Sequence, residues 1–116
     1  MPPAEPAPCQ LILCSCPDDA SAQALADHLV THRLAACVTI LPQATSVYRW
    51  EGTLERSAEQ ILLIKTTAAA YGRLEQAVRE RHPYELPELI AVTIDHGLEA
   101  YLGWVREGTR AEGDCG

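Results

Sequence analysis

The 116-residue chain contains no phenylalanine and no asparagine, a single lysine (Lys65) beside eight arginines, and a single methionine. Positive charge is scarce: nine basic against sixteen acidic residues leave a formal net charge of -7. Such a chain repels phosphate backbones and anionic lipid. It also lacks the basic stripe with interleaved rings on which RNA-binding modules stack bases. Neither nucleic acid nor a membrane is therefore expected as a partner, and no apolar run approaches the roughly 18 residues of a spanning helix. The first residues are proline-rich and acidic, unlike a secretion signal, which makes a cytoplasmic location the expectation. Catalytic signatures are missing as well: there is no Gly-x-Ser-x-Gly, no phosphate loop and no glycine-rich dinucleotide fingerprint. The reading is of a protein that is not an enzyme and carries no organic cofactor.

What is present fits one domain. Residues 1–8 and 108–116 read as disordered tails around a single domain at 9–107. The cysteine count of five is odd and agrees with a reducing compartment. Cys9 and Cys115 fall near the ends, where unpaired thiols read as incidental.

Apolar periodicity sets the elements. Residues 11–16 form a short strand stopped by Pro17, after which Asp18 caps a helix. The stripe Ala22, Leu25, Ala26, Leu29 and Val30 has helical spacing. Residues 35–41 and 46–50 read as one long strand bent at Pro42, turned at Glu51 and Gly52, and answered by a return strand over 54–67. Four consecutive apolar residues there, Ile61 to Ile64, suggest burial on both faces. A second helix over 68–81 carries Tyr71, Leu74, Ala77 and Val78 on one side and stops at Pro83. Residues 89–94 make the last strand, and Leu98, Tyr101, Leu102 and Val105 mark a closing helix. The order β, α, β, β, α, β, α predicts an α+β fold: a ferredoxin-like βαββαβ sandwich with an extra C-terminal helix and a long β2–β3 hairpin. Two helices cover only one sheet face, so the other is expected to be an assembly surface of a homo-oligomer.

Chemistry concentrates in two places. Cys14 and Cys16 lie two apart on a strand and so point to one side, where paired thiols suit a soft metal, although cysteine is equally a packing residue. Cys37 reads as core. Residues 82–88 put His82, Tyr84, Glu85 and Glu88 on a connector that Pro83 and Pro87 keep out of regular structure. His28 and His32 have the four-residue spacing of a metal pair on a helix. They lack a third ligand at motif spacing and read as a solvated polar face. His96 shows no partner, and Lys65 reads either as a lone cation in a site or as an edge charge.

These segments together resemble the CutA divalent-cation-tolerance family. The resemblance runs from about Leu11 to Val105 and rests on Cys16-Pro17-Asp18, Arg33-Leu34-Ala35-Ala36-Cys37-Val38, Ser46-Val47-Tyr48-Arg49-Trp50-Glu51-Gly52, Lys65-Thr66 and residues 82–88. It implies a trimer of ferredoxin-like subunits whose long hairpins complete intersubunit sheets, and a role in tolerance of copper and other divalent metals. The family's copper-binding cysteine aligns with Cys14 and its histidine with His82. A second histidine found in some members is replaced by Arg81, which cannot serve as a normal ligand. Cys16 stands as the substitute if the fold brings it near His82. The same resemblance extends in shape to the PII signalling trimers. It gives an alternative in which Lys65, Arg81, Tyr84, Glu85 and Glu88 line an intersubunit cleft for an anionic or zwitterionic small molecule. Acylphosphatases share the fold class, but as a family they use an asparagine, and this chain has none.

Overall fold

Seven elements follow one another in the expected order in a computed structural model, which describes residues 6–111. They are β1 (Cys9–Cys16), α1 (Asp19–Thr31), β2 (Cys37–Trp50), β3 (Thr53–Thr67), α2 (Tyr71–Arg81), β4 (Leu89–Thr93) and α3 (Glu99–Gly108). The strands form one sheet in the order β2-β3-β1-β4, and every neighbouring pair is antiparallel. This is the split βαβ arrangement of the ferredoxin-like sandwich.

Alternation along the strands divides the sheet into a covered and an open face. Ile12, Cys14 and Cys16 of β1 and Leu62 and Ile64 of β3 are fully buried in one core with Ala22, Leu25 and Leu29 of α1 and Leu74 and Val78 of α2. The start of α1 is fixed by Asp18, whose carboxylate accepts the Ser21 N–H at 2.7 Å. That bond, reinforced by the Ser21 hydroxyl, holds the carboxyl below its ordinary range. Val30, assigned to the buried stripe from its spacing, is 42% exposed instead. It lies one step beyond Leu29 around the helix and so falls outside the stripe.

The opposite face carries Leu11 and Leu13 of β1, Ile61 and Leu63 of β3, and Ile90 and Val92 of β4, with Leu13 paired to Ile90 and Leu11 to Val92. No helix lies over its centre. Ile61 and Leu63 are therefore only half-buried, and Ile90 and Val92 remain 52% and 49% exposed. The expectation of burial on both sides of residues 61–64 thus holds within one chain only on the helix side.

The hairpin follows its sequence closely. Trp50 pairs with Thr53, and the two residues between them, Glu51 and Gly52, both have positive φ (50° and 81°), the requirement of a type I′ turn. The bend at Pro42 is a break in register between Leu41 and Ala44, with Gln43 at φ 61°. Proline has no N–H for the ladder, and the extra residue absorbs the irregularity.

α3 closes one end of the sheet. Cys9 is not in a frayed end: it opens β1 opposite Thr67, is buried, and its thiol donates to the Leu102 carbonyl at 3.6 Å. The strand reaches further back than its apolar run because α3 covers its first residue. Cys115 lies outside the described residues. Within the tail regions, the Pro8 carbonyl accepts from the Ala68 N–H, and Thr109 is buried with its hydroxyl donating to the Val105 carbonyl. α2 starts at Tyr71 rather than 68 because residues 68–70 form a turn, with the Ala70 N–H donating to the Thr67 hydroxyl. A close approach seats α3. A Cβ on Gly108 would meet the Ala36 Cβ at 3.0 Å and its Cα at 3.2 Å. Gly108→Val is accordingly expected to lower stability by about 1–3 kcal/mol through overpacking, measured by thermal melting against Gly103→Val. A Cβ at Gly103 meets nothing within 4 Å.

Candidate metal centre

β1 ends by pointing Cys14 and Cys16 into the core, and α2 ends by delivering His82 to the same spot. Pro83 ends the helix, and His82 as its C-cap takes an extended backbone (φ -74°, ψ 139°). All three side chains are buried, and their ligand atoms lie within 4.8 Å of one another. No other group of three or more such side chains is found among the described residues. A tetrahedral metal with sulfur bonds of about 2.3 Å sets its ligand atoms roughly 3.8 Å apart, so only a small contraction would complete a three-donor site.

His82 is oriented by the backbone. Its Nδ1 accepts the Tyr84 N–H at 3.0 Å, which places the proton on Nε2, and Nε2 donates to the Ser15 carbonyl at 2.6 Å. The same Nε2 stands 3.7 Å from the Cys16 sulfur. A metal bound through Nε2 would take the place of this proton and the Ser15 bond, and the neutral ring would then carry its proton on Nδ1, so the Tyr84 N–H would have to give up its bond to that nitrogen.

The two thiols are unequal. The hydrogen bond to Cys16, then burial, then the negative charge of Cys16 push the Cys14 thiol far above its usual range. That same bond, opposed by burial and aided by Ser21, draws Cys16 below it. Both directions are those of a Cys14 thiol that donates to Cys16 and so favours the Cys16 thiolate. Between the lowered Cys16 value and the ordinary thiol value the unfolded chain holds more protons than the folded one, so stability rises with pH. Above it the folded chain keeps the Cys14 proton that the unfolded chain releases, and stability falls. The pair's contribution should peak near the ordinary thiol value. Ultraviolet thiolate titration is expected to show an early component that Cys16→Ser removes and Cys14→Ser moves upward. Thiols that all titrate together in the ordinary range would refute the pairing.

The other sequence candidates disperse. His28 and His32 pack with ring centroids 4.3 Å apart and planes tilted by 45° near the end of α1. Burial first, then Arg81 and His32, lower the His28 pKa. His96 is exposed before α3, and Cys37 is half-buried with its sulfur 3.6 Å from the Tyr101 hydroxyl. Of the five residues assigned to an intersubunit cleft, Tyr84, Glu85 and Glu88 line a cleft of about 860 Å³ within the single chain, between the hairpin and the 82–88 connector. Lys65 and Arg81 do not. Lys65 donates to the Thr39 hydroxyl at 2.7 Å, and Arg81 is exposed at the end of α2. The cleft's remaining charged walls are Glu55 and Glu59, which reach it from the hairpin. Sequence reasoning missed them because the pairing of β3 with β1, which sets Gln60 opposite Cys16 beside the connector, and not chain proximity, brings β3 to Tyr84.

Residues 10–108 match the family model described as CutA1 divalent ion tolerance protein. The chain belongs to this family. It is 43% identical over 100 residues to the divalent-cation tolerance protein CutA of Thermus thermophilus, covering 86% of this chain and 97% of that one. Among solved structures, CutA from Xylella fastidiosa superposes with a TM-score of 0.86 at 45% identity, covering 88% of this chain and 98% of the other. The CutA of Archaeoglobus fulgidus, named a periplasmic divalent cation tolerance protein, reaches 0.85 at 30%, covering 88% and 99% of the two chains. The CutA fold inferred from the motifs is therefore the fold of the family, and divalent-cation tolerance is the function class attached to it.

Proposed function

We propose that the protein is a cytoplasmic homotrimer that binds a divalent or soft metal ion, copper above all, in cation tolerance and homeostasis, with Cys14, Cys16 and His82 as its ligands. The observation that carries this reading is the convergence of the three buried donors from β1 and α2. Two thiols and one imidazole match the ligand preferences of copper and zinc. Arg81, standing where some members have a second histidine, is exposed beside the site, and Cys16 takes over the missing donor's role. An oligomer is supported by the bare aliphatic face of the sheet, its being a trimer by the family resemblance alone, and the reducing location by the free state of the four cysteines among the described residues, three of them buried. The protein works by binding rather than by catalysis.

Native mass spectrometry of the reduced, metal-free protein titrated with Cu(I), Cu(II) and Zn(II) tests the assignment. One ion per subunit is expected for the unaltered chain, and none for the Cys14→Ser, His82→Ala double variant. Cys16→Ser should weaken binding by more than about tenfold, the size expected from loss of a direct ligand. Unchanged uptake in the double variant would sink the ligand assignment.

A further inference from the structure

The cleft between the hairpin and the 82–88 connector is chemically one-sided. Glu55, Glu59, Glu85 and Glu88 line it, and no lysine or arginine does. Among the described residues none of these four carboxylates takes part in an ion pair. Glu59 is only 7% exposed, yet its one partner is the Tyr84 hydroxyl, which donates at 3.2 Å. A buried carboxyl group with one neutral donor and no cation beside it is costly to hold as a carboxylate, and a bound cation would offset that cost. Burial first, and then Glu59, push the Tyr84 phenol above its ordinary range, which reflects the same negative field.

The remaining walls decide which cation. Tyr48, Trp50 and Tyr84 line the cleft and stay 44%, 59% and 38% exposed. Ring faces attract cations most effectively when the charge is weakly hydrated, as on an alkylated nitrogen. A small, strongly hydrated divalent ion would use the carboxylates and leave the rings idle.

We propose that this cleft binds an organic cation of the alkylammonium or polyamine class, with Glu59 as the buried counter-charge and Tyr48, Trp50 and Tyr84 as the ring walls. The proposal does not depend on the metal centre, whose ligands Cys14, Cys16 and His82 lie outside the cleft lining.

Isothermal titration calorimetry on the full chain in its native oligomer, at physiological salt, tests it with spermidine and tetramethylammonium as probes. Glutarate and Mg(II) serve as controls. Saturable binding of both probes is expected, with neither control bound. Glu59→Gln and Trp50→Leu should each weaken binding by about tenfold or more, the effect of losing one desolvated charge or ring contact. Trp50 sits at the exposed end of the hairpin, so its variant carries the test even where Glu59→Gln disturbs folding. Absence of saturable probe binding would overturn the proposal, because it would mean that neighbouring copies fill the cleft or that it is inert. Full binding in both variants, or Mg(II) binding in place of the two probes, would overturn it as well.

Discussion

Ile90→Glu is expected to turn the proposed homotrimer into monomers while leaving each subunit folded. Ile90 is the second residue of β4 on the open face, opposite Leu13, and is 52% exposed in the single chain. The folded subunit therefore loses little by the change, since the core lies on the other side of the sheet. An interface built on this face would have to bury an unpaired carboxylate in every subunit, at about 3–5 kcal/mol each. Summed over a trimer, that exceeds the margin of most assemblies at micromolar concentration. Light scattering after size exclusion reads the mass, and far-ultraviolet circular dichroism reads the fold. A variant that keeps the parental mass would show that the interface lies elsewhere on the molecule.

Leu74→Ala carries the largest expected effect on the fold itself. Leu74 is fully buried where α2 docks onto the sheet, together with Val78. Truncating such a side chain removes its transfer energy and leaves a cavity, at a cost of about 2–5 kcal/mol. Urea denaturation is the measurement, and a loss below 1 kcal/mol would mean that α2 collapses onto the sheet more readily than a close-packed core allows. Because α2 holds His82 at its end, the same substitution should also loosen the proposed metal centre. Leu25→Ala, from α1, should cost comparable stability with less effect on metal uptake. Comparing the two variants separates damage to the site from general destabilisation.

Much of this architecture was legible in the residues. The i, i+3, i+4 stripe from Ala22, the Glu51-Gly52 turn and Pro83 each impose a local rule that no tertiary contact opposes, and the elements fall where those rules place them. The bare sheet face followed from counting two covering helices against one sheet. Boundaries failed where tertiary contact decides. Cys9 joins β1 because α3 lies over it, and Val30 leaves the stripe by a rotation that its spacing only approximates. The convergence of Cys16 with His82 was conditional on the fold, because nothing in a sequence fixes the distance between the end of β1 and the end of α2. The cleft was half-read for a similar reason. Tyr84, Glu85 and Glu88 are neighbours in the chain, whereas Glu55 and Glu59 join them only through strand pairing. Lys65 and Arg81, assigned with them to a cleft between subunits, do not line this one within a single chain.

The two-residue turn at Glu51 and Gly52 also bears on the order in which the molecule forms. Hairpins joined so tightly close in roughly 1–10 μs, since few loop conformations are lost. β1, by contrast, must find β3 and β4 across most of the chain, and such distant pairings come late. Cys14, Cys16 and His82 belong to that late set, for they meet only when β1 lies in the sheet and α2 has docked. A metal bound there would recognise only the finished subunit, so its uptake during refolding would serve as a clock for the final step of folding.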